Sequence, residues 1–430
     1  MKIAVIGTGY VGLVTAACFA DLGHDVIGVD NDAKKVAILK QGRCHFFEPG
    51  LEELVATQVK QNRLSFTTEI QMAAKKSDVI FIAVGTPPRP DGGADLSQIE
   101  AVAKSVAKAL GKSAKLIIEK STVPVRTGVK IKQTLKAYAP KGANFDVASN
   151  PEFLREGTAI HDFMNPDRIV VGADSARART VLKQLYGSIN GELVLTDLNS
   201  AEIIKHASNS FLAMKISFTN AISRVCELAG ADVEEVAYGM GLDSRIGPKF
   251  LNAGIGFGGF CFPKDVSAFI HISDSLGYDF KLLRAVEEIN NDQWMHFIKK
   301  IEDKLWNIND KTIGVWGLSF KPNTDDMRFA PSIQILNYLK KHGAKLRVYD
   351  PKAMDNARES LKGVTFAKNQ YDVCIKADCL LILTEWNHFK EADMQRVKKL
   401  MKQPIMVDGR NLYNPQQMKK LGFDYISMGR

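Results

Sequence analysis

KIAVIGTGYVGLVTAACFADLG, residues 2–23, decides the fold. It opens as a short apolar run of buried-strand type, turns at Gly7, Gly9 and Gly12, and continues as a helical pattern. GxGxxG alone is a weak signal. Here it joins a strand directly to a helix, and the next strand, HDVIGVD (24–30), ends on Asp30, 18 positions past Gly12. In that context the glycines admit a pyrophosphate to the helix start, beside Tyr10 and Val11, while the acid takes the adenosine ribose hydroxyls. A carboxylate at Asp30 repels a ribose phosphate, so the spacing predicts NAD and not NADP. Lys35 is either a second ribose contact or an ordinary surface lysine.

Working outward, α/β alternation continues through RLSFT (63–67), DVIFIAVGTP (78–87), AKLIIEKSTVP (114–124) and FDVASNPEF (145–153), with RIVVG (168–172) expected to complete the sheet. Parallel strands carry their ligand loops at their carboxyl ends. Thr86 and Thr122 are therefore expected to line the cofactor crevice. Glu152 and Glu156 leave a strand end in the same way, although two acids flanking Arg155 are also what a solvated helix start looks like.

Asn199 is then expected to cap a long helix, SAEIIKHASNSFLAMKISFTNAISRVCELAGA (200–231). Lys205 and Asn209 are four apart and share one stripe of a mostly apolar helix. Such a pair suits an active site, the alternative being a lysine that snorkels to solvent. A helix of this length between two α/β units is also a plausible dimer face.

GFGGFCFPKD (256–265) delivers one thiol, Cys261, from a glycine-rich turn. Pro263 suits the first position of a following helix, which places Cys261 just before a helix start, where amides and the Lys264 ammonium favour thiolate. A lone cysteine is more often an ordinary buried one. The glycines, the helix start and the Lys264–Asp265 pair argue for a nucleophile. Upstream, Arg245, Lys249 and Asn252 punctuate a stretch whose backbone donors suit a diphosphate or a sugar, or a plain exposed loop. Downstream, KTIGVWGLSFKPNTDDMR (311–328), AKLRVYDP (344–351), DCLLILTEW (378–386) and PIMVDGRN (404–411) form a second α/β run without the glycine fingerprint, which predicts a mononucleotide site. Lys321, Asp325 and Arg328 fall where its first strand ends. The predicted fold is α/β, two doubly wound Rossmann-like domains joined by a long central helix. Its divisions are 1–198 for NAD, 199–305 for the helix, the cysteine region and dimerisation, and 306–430 for a nucleotide sugar.

The bulk properties are consistent with this. The 430 residues are 45% hydrophobic and 24% charged, as in a soluble globular protein, with no run long enough to cross a bilayer. Met1-Lys2 leads straight into a strand, leaving no room for a targeting segment, and six scattered cysteines without a CxxC pair fit thiols in a reducing cytoplasm. No metal site is expected. The net charge of +9 is spread over lysine pairs without interleaved aromatics, which argues against nucleic acid and suits a phosphate-bearing substrate.

Across nearly its whole length the chain resembles the nucleotide-sugar (UDP-glucose/GDP-mannose) dehydrogenases, through GTGYVGL (7–13), STVPVRTG (121–128), NPEFLREG (150–157), the Lys205/Asn209 helix, RIGPKFLNAGIGFGGFCFPKD (245–265) and GLSFKPNTDDMR (317–328). The cysteine string is the most specific and implies UDP-glucose as substrate, before GDP-mannose or UDP-N-acetylmannosamine. The resemblance implies oxidation at C6 to a carboxylate with two NAD and one water, on Cys261 as nucleophile. It further implies Lys205 and Asn209 as oxyanion donors, and Thr122, Glu152 and Asp265 as the groups that place and activate water. Phe250, Leu251, Asn252, Gly254, Gly258 and Lys321 are similar to UDP-sugar contacts, and Arg245 to a residue reaching a partner subunit. Tyr10, Val11, Asp30, Lys35, Thr86, Thr122, Glu156, Lys264 and Arg328 are similar to cofactor contacts. Two positions depart from the pattern: Arg126, where the family usually has glycine, and Phe260, where many relatives have a small residue. From the residues alone a two-electron 3-hydroxyacid dehydrogenase also remains open, sharing the NAD sheet and a Lys/Asn helix but with no need of Cys261.

Overall fold

The computed structural model describes residues 1–430 and divides into two compact units, Met1–Ser208 with His271–Tyr278, and Asn209–Ile270 with Asp279–Arg430. In the first, strands β1 (Lys2–Ile6), β2 (Asp25–Val29), β3 (Leu64–Thr67), β4 (Val79–Ile82), β5 (Lys115–Glu119), β6 (Phe145–Ser149), β7 (Arg168–Ala173) and β8 (Glu192–Thr196) form one sheet in the order β3-β2-β1-β4-β5-β6-β7-β8. The inner strands are nearly all apolar because both faces are covered, as parallel sheets require. Ile3, Val5, Val79 and Phe81 feed one core, and Ala4, Ile6, Ile80 and Ile82 the other. Phe19, on the helix Tyr10–Asp21, packs its ring against Phe81, Phe163 and Tyr186 in the first of these. Each such fully buried side chain contributes about 1.5–3 kcal/mol. Gly12 is required here by space, since a Cβ would lie 1.9 Å from the Gly7 carbonyl oxygen.

Two expectations need correction in this unit. The strand at 168–172 does not complete the sheet: it runs antiparallel to β6, and β8 adds parallel to it. Asn199 is not the cap of the long helix, which spans Leu198–Ala229. Asp197 does that work, accepting from the Ser200 amide and hydroxyl at 2.9 and 2.6 Å. Aspartate and asparagine cap about equally well, and the aspartate two positions upstream is the one placed to take the Ser200 amide.

The second unit has β9 (Thr312–Trp316), β10 (Lys345–Tyr349), β11 (Thr365–Phe366), β12 (Cys379–Ile382), β13 (Ile405–Asp408) and β14 (Asp424–Ser427), all parallel, in the order β11-β10-β9-β12-β13-β14. Ile313, Val315, Leu381 and Val407 enter one core, and Trp316, Leu380, Ile382 and Met406 the other. Asp350 follows β10 as Asp30 follows β2. Its carboxylate is committed to the Leu318 and Ser319 amides at 2.8 and 3.1 Å, the Lys352 and Ala353 amides, and the Trp386 indole. The second sheet thus repeats the strand order of the first six strands of the first, while the acids face different duties.

Within the second unit, Glu227 on the central helix accepts from His296 Nε2 and Lys300 Nζ, each at 2.7 Å, and from the Gly429 amide. Burial alone would raise its carboxyl, but these hydrogen bonds outweigh it and hold the group down to about 2. Because the folded value lies below the unfolded one, its stabilisation is present above the ordinary glutamate range and is lost as pH falls toward 2. Glu227→Gln is expected to lower stability by about 1–2 kcal/mol at pH 7, after discounting for partial exposure, with the difference closing in acid. Chemical denaturation at pH 7 and pH 3 checks this.

Candidate active site

In the first unit, residues expected near a cofactor collect at the carboxyl ends of adjacent strands: the glycines and Tyr10 after β1, Asp30 after β2, Thr86 after β4, Thr122 after β5, Glu152 and Glu156 after β6. Gly9 precedes the helix Tyr10–Asp21, whose start carries no side-chain cap. A Cβ at Gly9 would meet nothing within 4 Å, so the space in front of the exposed amides of that helix is open to an anion. Asp30 accepts from the Thr8 amide at 3.0 Å and hydroxyl at 2.7 Å and from the Asp32 amide at 3.0 Å. Burial works against its charge, but these bonds and Lys35 hold the carboxyl below its usual range. Thr86 Oγ donates to the Thr122 carbonyl at 2.9 Å and ties the two loops together. These residues fit NAD: an open helix start for the pyrophosphate, and at the next strand end an acid whose carboxyl is held below its usual range, which disfavours a ribose phosphate.

Glu48 was not foreseen from sequence. It is buried, accepts from the Gly157 and Ala159 amides at 2.6 and 2.7 Å and from the Tyr10 hydroxyl, and so pins the loop after Glu156 to the helix start. Burial and this acid push the Tyr10 phenol upward. Arg155 does not pair with Glu152 or Glu156. It is bidentate to Asp162 at 3.0 and 2.5 Å, and 151–155 is loop, not helix start.

Glu152 faces Lys205. Nζ of Lys205 lies 3.2 Å from Glu152 Oε1, both side chains are about 5% exposed or less, and the Leu154 amide donates to Oε2 at 2.6 Å. The Lys205 ammonium also stands 5.3 Å from the centroid of the Phe153 ring. Lys205 therefore does not snorkel to solvent. Three neighbouring residues escaped the sequence reading: Lys120, Asn150 and Glu202. Glu202 takes the Arg126 and Gly128 amides at 2.6 and 2.7 Å, anchoring the helix Thr127–Tyr138 to the central helix. Arg126 has φ 75°, in the left-handed region that favours glycine. The signal that could have flagged Lys120 is a charged Glu-Lys pair closing an otherwise apolar strand.

The second unit holds the thiol. Cys261 is the first residue of the helix Cys261–Ser275, so Pro263 falls in its first turn and not at its opening position. The cysteine is half-buried, and all six cysteines are thiols without a disulfide. The approach to it is held by its backbone. Gly254 N donates to Asn220 Oδ1 and its carbonyl accepts from Gln293 Nε2, both at 2.9 Å; Phe257 exchanges two bonds with Asn290; and Arg410 donates to the Gly256 carbonyl at 3.0 Å. At Gly258 a Cβ would lie 2.4 Å from the Phe329 carbonyl oxygen, so only glycine fits. Phe260 fills space with a purpose: the Arg328 guanidinium lies 4.4 Å and the Lys264 ammonium 5.5 Å from its ring centroid.

Four residues after the thiol, Asp265 is 1% exposed and takes Lys264 Nζ at 2.6 Å on one oxygen and Asn209 Nδ2 at 2.6 Å on the other. Leu251, Gly254 and Gly258 are buried, Asn252 is exposed, and Phe250 adopts φ 65°. Arg328 is bidentate to Asp326, and Lys321 stands over Phe320. Arg245 is not drawn into this cluster: its side chain is 87% exposed and pairs with Asp243 at 2.6 Å.

Comparison with known proteins identifies the family. The NAD binding domain of the UDP-glucose/GDP-mannose dehydrogenase family matches residues 1–190, the central domain 199–292 and the UDP binding domain 314–415. The chain is 48% identical over 431 residues to UDP-glucose 6-dehydrogenase TuaD of Bacillus subtilis, covering 100% of this chain and 93% of that protein. It is 46% identical over 437 residues to UDP-glucose 6-dehydrogenase of Rhizobium meliloti, with both chains fully covered. Its fold matches that of a UDP-glucose dehydrogenase from the hyperthermophilic archaeon Pyrobaculum islandicum with a TM-score of 0.91 at 39% identity, over 96% of this chain and 95% of that one. Two mostly parallel sheets, a long helix bearing Lys205 and Asn209, and a thiol at a helix start thus coincide with full-length similarity, and the chain belongs to the UDP-glucose/GDP-mannose dehydrogenase family.

Proposed function

We propose that this protein oxidises the C6 alcohol of UDP-glucose to the carboxylate of UDP-glucuronate, a four-electron reaction passing through a covalent bond to Cys261. The observation that carries the reading is the thiol at a helix start, four residues from the buried Asp265–Lys264–Asn209 cluster. NAD, when bound, supplies the hydride acceptor for both oxidations. The Gly7–Gly12 turn, Tyr10, Val11, Asp30, Lys35, Thr86, Thr122 and Glu156 would hold it, with Lys264 and Arg328 as further contacts.

Cys261 adds its sulfur to the C6 aldehyde left by the first oxidation, forming a C–S bond and a thiohemiacetal whose oxygen Lys205 and Asn209 stabilise as it carries negative charge. Loss of the second hydride leaves a thioester. Water positioned by Thr122, Glu152 and Asp265 adds to the acyl carbon, the C–S bond breaks, and the thiol regains its proton. The sum is one alcohol, two NAD and one water giving one carboxylate, two NADH and three protons. Phe250, Leu251, Asn252, Gly254, Gly258 and Lys321 would take the UDP-sugar, in a division of labour of 1–198 for NAD, 199–305 for the thiol and assembly, and 306–430 for the nucleotide.

Pairing with a second copy belongs to the same reading. Phe211, Phe218 and Val225 repeat every seven residues on the central helix and are 59%, 50% and 59% exposed, a stripe that suits a homodimer or larger homo-oligomer in which Arg245 reaches the partner's site. No helix is long and apolar enough to cross a membrane. A reducing cytoplasm suits a mechanism that needs Cys261 as a thiol. The test is stoichiometry: two NADH per UDP-glucose consumed are expected, and one overturns the reading in favour of a two-electron dehydrogenase.

A further inference from the structure

Lys120 follows β5, is 5% exposed, and donates through Nζ to Asn150 Oδ1 at 2.9 Å. A neutral amide does not offset a buried ammonium, so the position is expensive unless the charge is used. Asn150 is itself fixed. Tyr186 donates to the same Oδ1, Nδ2 donates to the Val170 carbonyl at 2.7 Å, and its amide donates to the Glu119 carbonyl at 2.8 Å. Two residues on, the same turn presents Glu152 to Lys205.

The charged groups that face Lys120 are Glu119, Glu152 and Lys205, and Glu202 faces Glu119. Burial first, and then Glu202, raise the Glu119 carboxyl well above its ordinary value, which weakens it as a counter-charge for Lys120. Glu152 is then a carboxylate paired with Lys205 at 3.2 Å that also acts electrostatically on Lys120. Burial lowers Lys120 to about 8, against the pull of Glu152 and Glu119.

We propose that Lys120 is a positioning residue for the reaction: through Asn150 it fixes Glu152, and as a second cation beside that carboxylate it leaves Lys205 with positive charge to spend on an oxyanion. This rests on the roles assigned to Glu152 and Lys205 above. It acts on those two groups and touches no substrate atom.

Lys120→Met is the test, with Glu152→Gln measured beside it. Lys120→Met is expected to lower kcat roughly 10- to 100-fold while KM for UDP-glucose stays within about 2-fold, as for loss of charge stabilisation confined to the transition state. The same variant is expected to melt a few degrees higher at pH 7, because a buried ammonium whose hydrogen-bond partner is a neutral amide is gone. Since the folded value lies below that of a free lysine, that gain is full below about 8 and fades as pH rises toward 10.5. A Lys120→Met enzyme with wild-type kcat, beside an impaired Glu152→Gln, overturns the proposal alone. A fully active Glu152→Gln overturns the underlying site reading as well. Should Lys120→Met not fold, Asn150→Asp decides: a carboxylate there pairs Lys120 and is expected to lower kcat about 10-fold, and unchanged kcat contradicts the proposal.

Discussion

Cys261→Ser is expected to halt turnover after the first oxidation, yielding at most about one NADH per active site and lowering kcat by about 10⁴-fold or more. Serine keeps the size of the side chain at the first residue of the helix Cys261–Ser275, so the fold should persist. The other thiols give the contrast. Burial pushes Cys18, Cys44 and Cys374 up to about 12, and raises Cys379 as well, so these are inert packing groups. Replacing Cys18 or Cys379, both fully buried, should alter stability and leave the NADH yield at two. Rapid-quench measurement of NADH per site, with circular dichroism on each variant, separates these outcomes. Undiminished activity in Cys261→Ser would instead favour a two-electron dehydrogenase.

Asp265→Asn should act later and also cost stability. Its carboxylate takes both Lys264 Nζ and Asn209 Nδ2 at 2.6 Å while 1% exposed, so the change leaves a buried ammonium without its counter-charge. Breaking a buried pair on one side destabilises by about 3–5 kcal/mol. With water activation lost, kcat is expected to fall about 10²- to 10⁴-fold. Because the second oxidation precedes hydrolysis, the first turnover should still release two NADH per site as a burst, followed by a slow phase. A burst of one would place Asp265 before the thioester instead of after it.

Much of this was legible because the signals are local. Gly7 to Asp30 sets a strand, a turn, a helix and an acid within one βαβ unit, and the constraint is short-range sterics. The pairing of Lys205 with Glu152 was not legible, although both were named, because 53 residues separate them and no period links a helix stripe to a strand loop. Glu48 lies 109 positions from the Gly157 amide it holds, for the same reason. Boundaries failed where two capping residues competed, as Asp197 did with Asn199. The antiparallel turn of β7 went unseen because RIVVG is as apolar as any parallel strand in the sheet. Arg126 and Phe260, unexplained departures in sequence, became explicable only once a left-handed backbone and an aromatic face under two cations were visible.

The most direct measurement is the mass of the peptide carrying Cys261 after acid quench of Asp265→Asn mixed with UDP-glucose and NAD. The account predicts a UDP-glucuronyl adduct on that peptide, removed by hydroxylamine as a thioester should be. An unmodified peptide, recovered from a sample that has already released two NADH per site, would contradict it.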